Sequence, residues 1–394
     1  MVTTTIQQAL YPFFIMCFIM GLRVYPMKRS KLKIRWIINL SILYSLIIWF
    51  AYSYILFYVL KFFTIKVIYS NPLNMVVTMI NILSVFMSVI MNFCYHKKFE
   101  TCIIKLAGVD DTLEELGTPK IYRKIHRLGK RLIIGWIVYS LILNIHDALF
   151  WLSEKKTVWR LFLSHILNCS IHINTFLDLL FIFLLWYIGT RFDKINEHVR
   201  CLLMKEERGL RCTWKKSVIV PPRDTLCINN CKQTLWTTMH LHSELCRLTR
   251  EFNSIFGTQI FLEMTSYLLF LTIFCYYFCV ILIKGYQKEI HLYTWLDISL
   301  WIFLFLIKLC AINYICESIT VKANGINKLI QLTNSIRYAD VWEEIYQFTL
   351  QIMHHPLKLT AMGLFYLGND YLRKFFMAIV NFLIIMVQFK INIF

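Results

Sequence analysis

The sequence predicts an all-α membrane protein with seven transmembrane helices, an N-terminus in the cytoplasm and a short last helix. Its 394 residues are 58% hydrophobic and only 16% charged, with a mean hydropathy of +0.57. Soluble domains carry about 25% charged residues. Three observations predict this fold class: the deficit of charge, the series of long apolar runs, and the unequal distribution of lysine and arginine between the connecting segments.

Six apolar runs are long enough to cross the roughly 30 Å hydrocarbon core of a bilayer as helices. They span residues 36–60, 72–95, 132–152, 161–190, 254–283 and 293–315. A seventh run, residues 375–389, has only 15 residues, which form about 22 Å of helix. Because this run is short and carries two amides, we expect other helices rather than lipid to surround it.

The basic residues indicate which ends of these helices face the cytoplasm. The net charge is +19, and segments 1–35, 96–131, 191–253 and 316–374 hold 33 Lys and Arg. The opposite segments, 61–71, 153–160, 284–292 and 390–394, hold 8. The positive-inside rule places the N-terminus inside and, after seven spans, the C-terminus outside. The positive charge therefore predicts topology and contact with anionic membrane lipids, and it argues against nucleic-acid binding.

Two amphipathic stripes lie in the predicted cytoplasmic segments. The first comprises Leu241, Leu245, Leu248, Phe252 and Phe256, and the second comprises Val341, Ile345, Phe348 and Ile352. Their spacing is helical. Such helices either form a packed bundle below the membrane or lie on the headgroups. Glu343 and Glu344 disfavour an anionic surface, so the bundle is the favoured interpretation.

Polar and aromatic residues concentrate on the outer halves of spans three to six. An ionisable group at a helix centre costs about 2.5–3.5 kcal/mol, so these groups are expected to face protein or water. In span order they are Asn144, His146 and Asp147; His165, Asn168, His172 and Thr175; Tyr276 and Tyr277; Trp295, Asp297, Trp301 and Lys308. Together they predict an aromatic, hydrated cavity that opens outward and binds a small polar or amphipathic organic ligand.

Several of these residues have another explanation. Trp295 also fits an interfacial aromatic belt. His165 and His172 also fit hydrogen bonds between helices, which we favour over metal binding. Asp178 and Glu263 lie on the inner halves of their spans, and we expect them to be buried pairing partners rather than ligand contacts.

No motif predicts an enzyme, a metal site or a cofactor. The sequence has no phosphate-binding loop, no nucleophile elbow and no H-E-x-x-H helix. The spacing of Cys227, Cys231, His240 and His242 matches no standard zinc site. We therefore expect a function other than catalysis, without a cofactor.

The last apolar run has a polar face. In the stretch MAIVNFLIIMVQFK, residues 377–390, Asn381 and Gln388 are seven residues apart. Seven residues are almost two helical turns, so both amides project from the same side of a helix.

A motif around this face resembles the C-terminal signature of insect gustatory receptors. That signature reads Gly-Φ-Phe, then Thr-Tyr, five hydrophobic residues and Gln-Phe. The matching residues are Gly363-Leu-Phe365, Asn381-Phe382 and Gln388-Phe389. Asn381 and Phe382 replace the Thr and Tyr, and Gly368 stands where an Asp is common.

The resemblance implies a function. It implies a gustatory (taste) receptor that is a ligand-gated, non-selective cation channel in the plasma membrane of sensory neurons. The channel is expected to be a homotetramer, or a heterotetramer with related subunits, opened by a small-molecule tastant, a sugar or a bitter compound.

The last helix would line the pore, with Gln388 and Phe389 at the gate and Asn381, Ile384 and Ile385 on or beside the pore face. The expected ligand-binding residues are Asn144, Asp147, His165, Asn168, His172, Tyr276, Tyr277, Trp295, Asp297 and Trp301.

These expectations divide the chain into four regions. Residues 1–33 form a cytoplasmic N-terminal region with an interfacial helix, and residues 34–315 form transmembrane helices one to six with the ligand pocket. Residues 316–374 form cytoplasmic anchor helices. Residues 375–394 form the pore-lining helix and an extracellular C-terminus.

Three other classes of membrane protein remain as alternatives. A G-protein-coupled receptor has its N-terminus outside, and its Asp-Arg-Tyr and Asn-Pro-x-x-Tyr motifs are absent. A secondary transporter predicts paired Gly- or Pro-broken helices in two related halves, whereas the chain has 12 Gly, 7 Pro and no visible repeat. A scramblase-like or purely structural protein explains the hydropathy but not the amide face.

Overall fold

The computed structural model describes residues 5–22, 31–67, 72–154, 159–213, 223–284, 292–325 and 342–388. The all-α prediction is confirmed, because these residues form helices, short connections and one two-stranded hairpin. The elements are α1 (Ile6–Ile19), α2 (Lys31–Val67), α3 (Pro72–Cys94), α4 (His96–Glu115), α5 (Tyr122–Glu154), α6 (Trp159–Thr213), α7 (Arg223–Lys284), α8 (Leu292–Asn324), α9 (Trp342–His354), β1 (Thr360–Ala361), β2 (Phe365–Tyr366) and α10 (Asn369–Gln388).

Five helices in the described part of the chain are long and apolar enough to cross a membrane. Their spanning stretches are Asn39–Tyr58, Tyr122–Leu149, His165–Cys201, Lys232–Tyr276 and Ile298–Asn324. A sixth candidate is the pair Met79–Cys94 and His96–Glu115, which bends by 67° at its break. Helix α10 has 20 residues, with Asp370, Arg373 and Lys374 in its first turns, and is not among the candidates found in the described residues.

The membrane helices extend well beyond the apolar runs. Helix α6 has 55 residues and α7 has 62, whereas the apolar runs in them cover 161–190 and 254–283. A hydropathy profile detects only the apolar stretch of a helix, which contacts lipid or the protein core, and not its polar extensions. The first amphipathic stripe continues α7, and a buried row of Phe192, Ile195 and Val199 continues α6, both on the side predicted to be cytoplasmic.

Helix α10 begins at Asn369, six residues before the predicted start. Its first two turns contain Asp370, Arg373 and Lys374, and an apolar run excludes such residues by definition. The helix is therefore longer than its apolar part.

Helix α6 is the centre of the bundle. Within its spanning stretch 78% of the most apolar window is buried, against 22% for α2. It packs against α5, α7 and α8, and Phe176, Phe181, Tyr187 and Phe192 on it are almost completely buried. Asn168, His172 and Thr175 on α6 are buried and consequently face other helices and not lipid, whereas His165 is exposed.

Helix α1 packs into the bundle. Ile6, Leu10 and Phe13 are each about 1% exposed, and the Phe13 ring lies 4.8 Å from the Phe183 ring of α6. Gly129 of α5 allows this approach, since a Cβ at that position would lie 3.2 Å from the Phe13 ring. The side of the membrane on which α1 lies stays a prediction.

Both amphipathic stripes are buried, and the helices that carry them, α7 and α9, pack against each other. Leu245, Leu248 and Phe252 of α7 are fully buried, as is Phe348 of α9. The Phe348 ring lies 5.3 Å from the His242 ring of α7. The Arg250 guanidinium of α7 also donates a hydrogen bond of 2.7 Å to the His355 carbonyl just after α9. Val341 lies outside the described residues.

Candidate functional site

Five of the predicted ligand-binding residues form one polar cluster between α5, α6 and α8, here called the outer cluster after its place in the predicted topology: Asn144, Asp147, Asn168, His172 and Trp301. The Asn168 amide donates a hydrogen bond to the Asp147 carboxyl, and Trp301 is within hydrogen-bonding reach of the same carboxyl. One turn further along, His172 Nε2 lies 3.1 Å from Asn144 Oδ1. The pairing of 147 with 168 and of 144 with 172 follows from the antiparallel arrangement of α5 and α6.

The outer cluster is packed in this conformation. Asn144, Asp147, Asn168 and His172 are each no more than 8% exposed, and Trp301 is half-buried. The predicted hydrated cavity is therefore occupied here by side chains that hydrogen-bond to one another.

The remaining predicted ligand-binding residues are not part of the outer cluster, or their side chains are not described. His165 is exposed near the start of α6, and Tyr276 is buried on α7. Tyr277 of α7 and Trp295 and Asp297 of α8 lie in helices, but their side chains are outside the described part of the structure. His172 bonds across to α5, as expected for a structural histidine. Among the described residues no group of three or more His, Cys, Asp or Glu is arranged to hold a metal ion.

A second polar cluster, here called the inner acidic network, comprises Asp178, Gln259, Glu263 and Tyr267. The Tyr267 hydroxyl lies 3.2 Å from Asp178 Oδ2 and 3.4 Å from Glu263 Oε2. Gln259 donates a hydrogen bond of 3.1 Å to Glu263 Oε1. Asp178 and Glu263 are 4% and 1% exposed, and both carboxyls lie within reach of the Tyr267 hydroxyl. They are therefore buried and have partners inside the bundle, as the sequence predicted.

Lys308 connects the two clusters. Its ammonium donates a hydrogen bond to Thr175 on α6, and it interacts electrostatically with Asp178 and Glu263. Thr175 lies one turn from both His172 and Asp178 on α6. A continuous polar row therefore runs along α6 from the outer cluster to the inner acidic network, with α8 packed beside it.

The signature glycine lies in the turn of the hairpin that precedes α10. Met362 and Gly363 both have positive φ, 51° and 76°, and the Leu364 N–H donates a hydrogen bond of 3.0 Å to the Ala361 carbonyl. Two central residues with positive φ strongly favour glycine. A Cβ at Gly363 would meet open space, so the requirement for glycine comes from backbone conformation alone.

The signature phenylalanine fixes this hairpin between two helices. The Phe365 ring stacks on Tyr371 of α10 at 4.5 Å with an interplanar angle of 11°. It also lies 6.0 Å from Phe261 of α7. The hairpin is further held to α7 by Asn253, whose amide donates a 2.9 Å hydrogen bond to the Thr360 carbonyl. The Gly-Φ-Phe element, residues 363–365, thus forms a fixed turn, here called the elbow, that sets where α10 begins.

Helix α10 buries one face and exposes the opposite one. Phe375 and Ile379 are 3% and 6% exposed and pack into the core of the bundle. At about 100° per residue, Asn381 and Gln388 project from the opposite side, and both are exposed. Ile384 and Ile385 beside them are 49% and 46% exposed. Phe389 lies outside the described residues.

Asn313 and Glu317 of α8 were not singled out by the sequence. The Gly368 N–H donates a hydrogen bond of 2.9 Å to Asn313 Oδ1, and the Asn369 N–H donates one of 3.3 Å to Glu317 Oε2. Asn313 therefore contacts the residue just before α10, and Glu317 contacts its first residue. Asn313 is a polar residue near the end of an apolar run, which is the one signal that points to it.

The described residues also line a cavity of about 500 Å³ between α4 and α7. Lys105, Trp236, His240 and Glu244 are among its lining residues. None of the predicted ligand-binding residues lines it, so it is distinct from the outer cluster.

Comparisons with known proteins agree with one another. Residues 10–393 match the family of 7tm chemosensory receptors. A Drosophila melanogaster protein named putative gustatory receptor 28b is 22% identical over 349 residues, which are 84% of this chain and 72% of the relative. The structure of the insect olfactory receptor OR5 from Machilis hrabei superposes with a TM-score of 0.68 at 12% identity, covering 97% of this chain and 98% of that one. The same receptor in complex with eugenol gives a TM-score of 0.66 with the same identity and coverage. At this identity the two olfactory receptor structures support the fold alone.

Proposed function

Since the chain belongs to the 7tm chemosensory receptor family, we propose that it is a gustatory receptor that forms a ligand-gated, non-selective cation channel. The observation that carries the proposal is the exposed face of α10. Asn381 and Gln388 point away from the protomer's own bundle, beside Ile384 and Ile385. In a single chain this mixed face would contact lipid tails, which offer the amides no hydrogen-bond partner. Around a central axis it would line water.

An assembly of several copies supplies such an axis. We propose a tetramer, formed by this chain alone or with related subunits, in the plasma membrane of sensory neurons with the N-terminus in the cytoplasm. Epitope tags on the two termini, stained before and after permeabilisation, test the orientation. An extracellular N-terminus would refute the channel and favour a G-protein-coupled type of receptor.

The outer cluster is the proposed ligand site. It combines a carboxylate, two amides, a histidine and a tryptophan, which suit a small organic tastant that offers hydroxyls and an apolar face. The solved relative binds eugenol, a small organic molecule. Sugars and bitter compounds both fit this chemistry, so the choice between them is made by experiment.

The proposed mechanism is a shift between two conformations. A ligand shifts gating only by the difference between its affinities for the open and closed arrangements. In the closed state a ring of Phe389 side chains would block ions by excluding water. In the open state the Gln388 amides would contact a hydrated cation without the strong charge that gives sharp selectivity.

Expression in cultured cells with a calcium indicator tests this proposal. A panel of sugars, including sucrose and fructose, and of alkaloids, including caffeine and quinine, is applied to cells with confirmed surface expression. We expect one class to raise intracellular calcium and whole-cell cation current. Untransfected cells are the control. Surface-expressed protein that gives no current with any compound, alone or with related subunits, would contradict the proposal.

We expect Phe389→Ala to raise the ligand-independent current, because it removes the apolar ring from the gate. Gln388→Ala is expected to change the single-channel conductance, because it removes an amide from the conduction path. Patch-clamp recording at equal surface expression measures both. Phe376→Ala, which removes a ring from another side of α10, is the matched control. The pore assignment fails if both gate variants behave like the wild type.

We expect Asn168→Ala to raise the half-activating ligand concentration by up to about tenfold. In the proposed ligand-bound arrangement the Asn168 amide would hydrogen-bond to the tastant, a bond worth about 0.5–1.5 kcal/mol, and each 1.4 kcal/mol is tenfold in affinity. Dose–response curves measure the effect. Ile145→Ala, at an exposed apolar position on α5, is the control. An unchanged half-activating concentration would remove Asn168 from the ligand site.

A further inference from the structure

The start of α10 is held by two side chains of α8. The Gly368 N–H donates a 2.9 Å hydrogen bond to Asn313 Oδ1, and the Asn369 N–H donates a 3.3 Å hydrogen bond to Glu317 Oε2. The first N–H groups of a helix have no partner within the helix. Here α8 supplies acceptors at this end, so the two helices are joined where α10 begins.

Asn313 is fixed in the orientation that this contact requires. Its side chain is fully buried, and its Nδ2 donates a hydrogen bond of 2.9 Å to the Leu309 carbonyl one turn earlier in α8. The Oδ1 atom is therefore directed at Gly368. A buried amide with both ends engaged is a rigid contact, because breaking either bond leaves a buried polar group without a partner.

Glu317 places a carboxylate at the N-terminal end of α10. A negative charge at this position interacts favourably with the positive end of the helix dipole. Gly368 makes the approach possible. Its φ is 140°, a conformation that side chains rarely adopt, and a Cβ there would lie within contact distance of Glu317 Oε2 and clash with it. The close packing of α8 on the elbow thus depends on glycine at this position.

Helix α8 also reaches both polar clusters. Trp301 contacts Asp147 in the outer cluster, Lys308 binds Thr175, and Asn313 and Glu317 hold α10. The four α8 residues follow one another along a single helix. A movement of α8 at the outer cluster therefore displaces the start of α10 directly.

We propose that Asn313 and Glu317 are positioning residues that couple the ligand cluster to the gate by tying the start of the last helix to α8. This inference rests on the proposed channel function. It assigns to two residues outside the pore and the ligand cluster the task of transmitting the conformational change between them.

Single-channel recording tests the coupling, with sucrose or caffeine as the probe, whichever activates the wild type. We expect Glu317→Ala and Asn313→Ala to lower the maximal open probability severalfold and to leave the single-channel conductance unchanged. Glu317→Gln keeps an acceptor oxygen and is expected to retain more activity than Glu317→Ala. Cys310→Ser, at an exposed position on α8, is the control. A variant that only folds poorly would reduce the number of channels and not the open probability of each one.

Hydrogen exchange on the purified full-length protein tests the contact independently of channel activity. We expect the Asn369 amide, which donates to Glu317 Oε2, to exchange about tenfold faster in Glu317→Ala, the equivalent of one lost hydrogen bond of about 1.4 kcal/mol. Faster exchange with an unchanged open probability would overturn the coupling role and leave the proposed channel intact. Unchanged exchange would overturn the inference itself. A wild type without current, together with faster exchange, would refute the channel function and retain the tie between α8 and α10.

Discussion

Arg191→Met is expected to destabilise the protein by about 3–5 kcal/mol, which is the usual loss when one partner of a buried ion pair is removed. Arg191 of α6 and Asp110 of α4 form such a pair, with Arg191 Nε 2.8 Å from Asp110 Oδ1 and side chains that are 2% and 0% exposed. The guanidinium also donates a 2.8 Å hydrogen bond to the Tyr187 hydroxyl. Tyr122 of α5 donates one of 3.0 Å to Asp110 Oδ2. The cluster joins three helices, so its loss affects their common packing.

The measurement is the fraction of monodisperse protein that survives heating in detergent, followed by size-exclusion chromatography. Arg191→Met alone leaves the Asp110 carboxylate buried without its cation. The double variant Arg191→Met with Asp110→Asn removes the charge and keeps an acceptor oxygen for the tyrosines, so we expect it to recover much of the loss. A single variant as heat-resistant as the wild type, or a double variant less stable than the single one, would contradict this account.

Lys308→Met is expected to be the second most damaging substitution, with a loss of about 3 kcal/mol. Lys308 is the cation that faces Asp178 and Glu263, which are 4% and 1% exposed. Its ammonium also satisfies Thr175. Without it, the carboxyls lose their compensating charge in a buried environment, and the free energy of unfolding falls.

The same heating assay, with surface expression in cells, measures the effect of Lys308→Met. In the double variant, Lys308→Met with Asp178→Asn, one carboxyl remains at Glu263 and is neutral when it is protonated. The amide introduced at position 178 still accepts a hydrogen bond from Tyr267. We therefore expect the double variant to be more stable than Lys308→Met alone. Leu296→Met on the same helix, at an exposed apolar position, is the control. If the double variant is no better than the single one, the charge balance of this network is not what Lys308 provides.

The sequence predicted the membrane helices well and their lengths poorly. The physical reason is that burial in lipid demands an uninterrupted apolar surface, which any hydropathy window detects. The extensions of α6 and α7 need only one apolar stripe, and the charged first turns of α10 need none. Their helical state follows from packing against neighbouring helices, which a local window does not contain.

The sequence predicted the members of the outer cluster but not their pairing. The members were predictable because polar residues stand out inside an apolar span. Asn168 and His172 are one turn apart on α6, and this spacing alone puts them on one face of the helix. Their partners on α5 could not be predicted in this way. The pairing of His172 with Asn144, and of Asn168 with Asp147, depends on the register between α5 and α6, which no spacing within one helix specifies.

Three properties of this chain follow from its amino-acid sequence alone: it is a helical membrane protein, its last helix has an amide face, and its C-terminal end resembles a gustatory receptor. Each property depends on the composition or spacing of residues along the chain and not on contacts between distant segments. The contacts of Asn313 and Glu317 with Gly368 and Asn369 join residues 55 and 52 positions apart, and they emerge only when α8 and α10 are packed together. The same packing turns the amide face of α10 away from its own bundle. Such contacts depend on the shapes of all the helix surfaces that meet, and no short stretch of sequence contains those shapes.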